Sequence, residues 1–419
     1  KKHRIVKERE QEENKMLQGK TVLLGVTGGI AAYKMPNVAR MLKKMHCNVH
    51  VLMTQNATNF ITATTFETLT GNKCLIDTFD RNFEFSVEHV ALAKQADLVL
   101  LAPATANVIG KIANGIADDM LTTTVMACTC KVLVAPAMNH NMYHNSIVQE
   151  NLEKLKRHGY EMIDPVCGML ANGDTGDGKL PSEETLVEYV LRELAFEKDM
   201  QGLKVLVTAG PTQEAIDPVR FISNHSTGKM GYAIAKNAML RGAEVTLVTG
   251  RTALEPPMFV KTVPVTSAKD MYQAVMECAK EQDIIVKAAA VADYTPAHTA
   301  DEKIKKSEGE LSLALEKTTD ILAELGKNKG NTVLCGFSME TEHVIENSRK
   351  KLEKKNLDMI VANNLKTSGA GFGTDTNVIT IITKDSEQAF DLMSKAQAAD
   401  CILDAICKQK NQNPFLADA

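Results

Sequence analysis

Twice along this chain a short apolar run ends in a threonine-led glycine loop, and each time longer amphipathic stretches and further apolar runs follow. The first series is TVLLGVTGG from Thr21, NVHVLMT from Asn48, ADLVLLAPA from Ala96 and KVLVAPAM from Lys131. The second is LKVLVTAG from Leu203, AEVTLVTG from Ala243, DIIVKAAAVADY from Asp283, TVLCGFSME from Thr332 and LDMIVANN from Leu357. Near-continuous apolar runs of this length suit parallel strands covered on both faces. The restart predicts two α/β domains, each Rossmann-like with a mainly parallel sheet, in keeping with a chain of 419 residues that exceeds one ordinary core. The expected division is a charged arm over 1–15, a first domain over 16–190, a linker over 191–202 and a second domain over 203–419.

Lysine and arginine number 48 against 52 acidic residues, a net charge of −4. Such a surface has no overall pull on a polyanion, so nucleic acid is not an expected partner. No apolar run reaches the roughly 18 residues of a membrane span, and no membrane association is expected. Nine cysteines without paired spacing, and an N-terminus without an apolar signal core, point to free thiols and a cytoplasmic setting. Cys128 and Cys130 form a Cys-x-Cys without the second ligand pair of a structural zinc site, and burial is expected for both.

The two series differ in their first loop. Thr27 to Thr54 spans 27 positions, whereas Thr208 to Thr249 spans 41, and most of the surplus lies in PTQEAIDPVRFISNHSTGK. Ligands of open α/β sheets sit beyond the carboxyl ends of the strands, so this polar insertion enters a predicted ligand crevice. Neither half carries the full G-x-G-x-x-G fingerprint, which disfavours a dinucleotide-dependent dehydrogenase.

In the first half, Thr27, Gly28, Gly29 and Ile30 lie between strand and helix, where backbone N–H groups suit a phosphate. Taken alone they read better as a tight turn. They are joined by SVEHV at Ser86, APATAN at Ala102, GIADD at Gly115 and APAMNHNM at Ala135. With these segments, residues 17–190 resemble the FMN-dependent decarboxylases of peptidyl or phosphopantothenoyl cysteine, which implies a flavodoxin-like fold. The resemblance implies FMN contacts at Thr27, Gly28, Gly29, Ile30, Thr54, Pro103, Ala104, Thr105 and Asn107. It implies an active-site histidine at His89 and a substrate-carboxylate ligand at Asn139. The implied chemistry oxidises the thiol side of the substrate to a thioaldehyde-like species, which accepts the electrons released by decarboxylation. Reduction and protonation of the resulting enethiol then complete 4′-phosphopantetheine. The loop CGMLANGDTGDGK departs from the pattern, because the family's proton-donor cysteine is Asn172 here, and a carboxamide is no acid at neutral pH. Cys167, five positions earlier, is the alternative donor or a spectator, and Asn172 is retained as a substrate contact.

In the second half, TAGPTQEAIDPVRFISNHSTGKMG, AAAVADYTP, EKIKK, GFSMET and KLEKKNLDMIVANN resemble the phosphopantothenate–cysteine ligases, in the order found in the bifunctional decarboxylase/ligase family. The implied reaction joins 4′-phosphopantothenate to cysteine through an acyl-cytidylate made from CTP, with Mg2+ screening the triphosphate. The implied roles are Asn224 at the acyl-cytidylate, Lys303 in its formation and Arg220 at phosphate. Nucleotide or substrate contacts are implied for Lys287, Ala288, Ala289, Asp293, Thr319, Asp320, Ile321, Leu322, Phe337, Lys351 and Lys355. No metal ligand is assigned. The resemblance also implies a homo-oligomer, with trimeric decarboxylase and dimeric ligase contacts. The competing expectation is a ligase whose flavin-binding half is regulatory or assembles the protein.

Overall fold

In a computed structural model the chain forms two compact units, residues 1–196 and 197–419. The structure describes residues 15–78, 88–169, 175–305, 312–340, 343–364, 371 and 373–411. Apart from Lys15, the charged arm lies outside them, as does Asn172.

The first unit is built on β1 (Thr21–Val26), β2 (Asn48–Met53), β3 (Leu98–Ala104), β4 (Lys131–Pro136) and β5 (Glu161–Met162). All pair in parallel in the order β2-β1-β3-β4-β5. This is the flavodoxin-like order, whose ligand crevice lies at the β1/β3 switch point. Every residue of β3 is buried, as a strand covered on both faces requires. Leu23, Val99, Leu101, Ile109, Leu121 and Leu152 belong to one core cluster between sheet and helices. The helix Met120–Ala127 starts where Asp119 Oδ1 accepts from the Thr122 N–H at 2.8 Å. An antiparallel hairpin follows, β6 (Val166–Met169) and β7 (Thr175–Lys179). Residues 191–194, expected in the linker, are instead the last turn of the helix Glu183–Leu194, because Leu191 completes its buried face.

The second unit has β8 (Lys204–Ala209), β9 (Gln213–Ala215), β10 (Phe221–Ser223), β11 (Glu244–Thr249), β12 (Lys261–Pro264), β13 (Ile284–Lys287), β14 (Tyr294–Pro296) and β15 (Leu315–Lys317). It continues with β16 (Val333–Glu340), β17 (Met359–Asn364), β18 (Thr376–Asn377), β19 (Ile379–Thr383), β20 (Glu387–Ala389) and β21 (Met393–Ser394). The main sheet runs β12-β11-β8-β13-β16-β17-β19-β20, parallel up to β17, with the last two strands antiparallel. Its parallel part has the Rossmann order, and β8 and β13 flank the switch point. Two antiparallel pairs, β9 with β10 and β14 with β15, come from the loops that follow these two strands.

No helix among the described residues is long and apolar enough to cross a membrane. All nine cysteines are free, and Cys128 and Cys130 are half-buried rather than enclosed, because their turn precedes β4 at the surface.

Candidate functional sites

The loops leaving β1, β2, β3 and β4 converge on a cavity of about 920 Å³. Gly28, Gly29, Ile30, Thr54, Thr105, Asn107 and Asn139 line it. A Cβ on Gly28 would stand 2.5 Å from Asn56 Cβ and 3.0 Å from Asn56 C, so only glycine lets the first loop close on the turn after β2. Thr54 Oγ1 is buried without a hydrogen-bond partner, an acceptor and donor left for a ligand. Asn139 Oδ1 accepts from the Asn141 N–H at 2.9 Å, which fixes the side chain and leaves its amide N–H groups outside that bond. A glycine cradle, an unsatisfied hydroxyl and a cavity of this size fit a flavin nucleotide.

Three residues expected at the cofactor stand behind the wall. Thr27 is fully buried; its Oγ1 donates to the Pro103 carbonyl at 2.6 Å and accepts from the Thr105 N–H at 3.0 Å. Pro103 and Ala104 are buried in β3. Thr27 and Pro103 tie the β1 and β3 loops together, Ala104 O accepts from the Ala137 N–H at 3.0 Å, and none of the three lines the cavity. His89, half-buried on the helix Glu88–Gln95, does not line the cavity of its own chain. Cys167 is exposed on β6 and also stands outside the wall, although Met169, two positions on, lines it.

Sequence reasoning missed Lys34, Asn56, Lys111 and Lys179, which all line the cavity. Lys111 is neutralised by Asp118 and Asp119, at 2.7 and 3.3 Å. Gly178 brings Lys179 into place: its φ is +122°, and a Cβ there would strike the Met138 carbonyl oxygen at 2.3 Å. The glycine-rich spelling of TGDGK was the available signal.

In the second unit the loops after β8 and β13 are laced together. Thr208 Oγ1 accepts from the Ala289 N–H at 3.1 Å, and the Ala290 N–H donates to Gly210 O at 3.0 Å. Asn224 Nδ2 donates to the Ala290 carbonyl at 3.0 Å, which brings the long insertion to the switch point. Lys287, at the end of β13, is influenced by Lys355, Asp320, Asp293 and Lys351. Burial, followed by the Lys355 charge, lowers its pKa to about 8. Lys355 Nζ is 2.8 Å from Asp320 Oδ2. This is a polar cluster with an excess of positive charge, suited to an anion. Half-buried Phe337 stands on the neighbouring strand, where Gly336 pairs with Lys287. Ala288 is half-buried beside Lys287, and Thr319 is exposed before Asp320.

Two expectations change here. Ile321 and Leu322 belong to the core cluster with Leu206 and Leu334, because they form the inward side of the helix that Asp320 caps. Their side chains are therefore not ligand contacts. Arg220 is already engaged: Nε donates to Asp217 Oδ2 at 2.9 Å, Nη2 donates to the same oxygen, and Nη2 reaches Ile304 O at 2.8 Å. The buried Asp217 also accepts from the Ile304 N–H at 3.1 Å, and the Arg220 hydrogen bond holds its carboxyl well below the usual range. Arg220 thus anchors the segment carrying exposed Lys303.

Residues 10–195 match the family model described as Flavoprotein, and residues 200–409 match that of the DNA/pantothenate metabolism flavoprotein C-terminal domain. The coenzyme A biosynthesis bifunctional protein of Bacillus subtilis is 46% identical over 401 residues, covering 95% of this chain and 99% of that one. The chain belongs to the coenzyme A biosynthesis bifunctional protein family. The family member of Escherichia coli is 41% identical over 394 residues, covering 93% of this chain and 97% of its own. A solved C-terminal domain of a coenzyme A biosynthesis bifunctional protein is 43% identical, with 52% of this chain and 100% of that chain covered and a TM-score of 0.46. As a member of this family, the chain is a bifunctional enzyme with a flavoprotein decarboxylase unit followed by a ligase unit.

Proposed function

We propose that the ligase unit joins 4′-phosphopantothenate to cysteine at the expense of CTP, and that the decarboxylase unit, with FMN, converts the product to 4′-phosphopantetheine. The observation that carries this reading is the match of both units, in this order, to a bifunctional relative over 95% of the chain.

In the ligase unit, Lys287, Lys351 and Lys355 hold the triphosphate, and half-buried Phe337 walls the base. Asp293 accepts from the ribose or base, while Ala288, Ala289 and Thr319 supply backbone contacts. Mg2+ bound with CTP screens the phosphates. Lys303, on the segment pinned by Asp217 and Arg220, stabilises charge developing on the carboxylate and phosphate as the acyl-cytidylate forms and pyrophosphate leaves. Asn224, held at the Ala290 carbonyl, orients the acyl-cytidylate for attack by cysteine.

In the decarboxylase unit, Gly28, Gly29, Ile30, Thr54, Thr105 and Asn107 cradle FMN, which supplies two-electron redox chemistry at the substrate thiol. Asn139 binds the carboxylate that leaves as CO2, and Lys34 and Lys179 balance anionic charge. Cys167 supplies the last proton. Trimeric contacts through the decarboxylase units account for His89 standing off the cavity of its own chain, and the ligase units pair as dimers.

The test supplies phosphopantothenate, cysteine, CTP and Mg2+ to flavin-loaded protein and identifies products by mass. The expected products are 4′-phosphopantetheine, CO2, CMP and pyrophosphate. Accumulation of phosphopantothenoylcysteine rejects the decarboxylase reading, and absence of CMP rejects the ligase mechanism.

A further inference from the structure

Beside the cavity of the first unit stands a group of side chains that does not belong to its wall. His140 and His144 are four positions apart, on the turn His140–Tyr143 and its C-cap, and therefore face the same side. Their ring centroids are 4.4 Å apart, with the planes tilted by 59°. Asp177 comes from β7. Its Oδ2 lies 3.1 Å from His144 Nε2, and its backbone N–H donates to His140 Nδ1 at 3.2 Å. One ligand atom from each residue lies within 4.8 Å of the other two.

We propose that His140, His144 and Asp177 form a binding site for a divalent transition-metal ion of the zinc class, which ties β7 to the His140–Tyr143 turn. Two imidazoles and one carboxylate are a zinc-type donor set with a fourth position left for water. Magnesium and calcium favour oxygen ligands and are poorly served by this set. Bonds of roughly 2.0–2.2 Å place adjacent ligands of a tetrahedral ion about 3.3 Å apart. The His144–Asp177 pair already stands at 3.1 Å, so the main adjustment falls on His140.

The backbone prepares this arrangement. A Cβ on Gly176 would lie 2.7 Å from His140 Nδ1 and 2.9 Å from its Cγ, so glycine there lets β7 lie flush against the ring. Gly178 packs equally closely on the Met138 carbonyl, and Asp177 is held between two points of close approach. The side chains of His144 and Asp177 retain 48% and 43% exposure, which admits an ion from solvent. On binding, neutral His144 carries its ring proton on Nδ1 and offers the Nε2 lone pair, Asp177 offers its carboxylate, and the Asp177 N–H yields the Nδ1 lone pair of His140 to the ion. No redox change is involved. Asn139 precedes His140, and Gly178 and Lys179 follow Asp177; all three line the cavity, so the ion fastens two of its walls together.

The test uses flavin-loaded full-length protein stripped of metal by a chelator. Calorimetric titration with Zn2+ is expected to show one saturable site per chain, absent or weakened more than about 100-fold in both His144→Ala and Asp177→Asn; loss of an outer-sphere partner alone costs 10–100-fold. Co2+ is expected to give the visible bands of nitrogen and oxygen ligation, and zinc to slow amide exchange over residues 175–179. Asp177→Asn preserves side-chain shape and decides the matter if His144→Ala loses its flavin absorbance. Uptake that is absent, or that survives both substitutions, overturns the site. A cobalt spectrum dominated by thiolate charge transfer assigns the ion to cysteines and also overturns it. None of these readouts depends on decarboxylation.

Discussion

Lys287 ends a buried strand with its ammonium close to Lys351 and Lys355, and it is the burial that chiefly draws its pKa down to about 8. Between about pH 8 and the ordinary lysine value of 10.5, the unfolded chain holds more protons than the folded one, so stability without nucleotide rises with pH across this window. A triphosphate reverses the balance by favouring the ammonium. Nucleotide binding at about pH 9 is therefore expected to take up a proton and to weaken as the pH rises further. Calorimetry in buffers of different ionisation enthalpy measures that uptake, and the same uptake in Lys287→Met would count against this assignment. At the other site, Cys167→Ser preserves size and removes the acid. Final reduction is expected to slow by about 100-fold or more, with an unsaturated thiol released and detected by mass. An unchanged yield of 4′-phosphopantetheine removes Cys167 from the reaction.

The loop after β1 shows how an element, rather than a side chain, makes a site. Gly28→Ala forces a Cβ into Asn56 at 2.5 Å, and overpacking of this kind costs about 1–3 kcal/mol or displaces the Gln55–Asn59 turn. Gly29→Ala meets only Thr105 Cγ2 at 3.6 Å, from an extended φ of −142° that any residue adopts. Flavin absorbance after gel filtration is expected to fall for Gly28→Ala and to persist for Gly29→Ala; equal loss in both refutes the steric account. The same loop marks what was legible in the sequence. Apolar runs located β1, β3, β8 and β13, because burial on both faces leaves a compositional trace. They did not reveal that Thr27 turns inward, since its partners Pro103 and Thr105 lie 76 and 78 positions away. Nor did they show that Arg220 is spent on Asp217 and on Ile304, 84 positions on. Lys179 escaped notice because its place depends on the close approach of Gly178 to Met138, a backbone property with no apolar signature.

At the scale of the whole molecule, two compact units each carry a switch point and a separate set of polar groups, so the chain contains two sites with no residue in common. Nothing in the chemistry requires direct transfer, because phosphopantothenoylcysteine is a stable amide that survives release into water. Lys303→Ala is expected to abolish CMP formation while leaving decarboxylation of supplied phosphopantothenoylcysteine intact. Asn139→Ala is expected to do the reverse, accumulating that amide, since loss of a hydrogen bond to a charged group costs about 1.5–3 kcal/mol. The two variants, purified separately and mixed, are then expected to make 4′-phosphopantetheine from phosphopantothenate after a lag set by the free intermediate. Adding an excess of isotopically distinct phosphopantothenoylcysteine should dilute the label in the product, for the mixture and for the unmodified enzyme alike. If the unmodified enzyme resists that dilution while the mixture does not, the intermediate passes between sites without mixing with solvent, and the two units act as one device rather than as two enzymes on one chain.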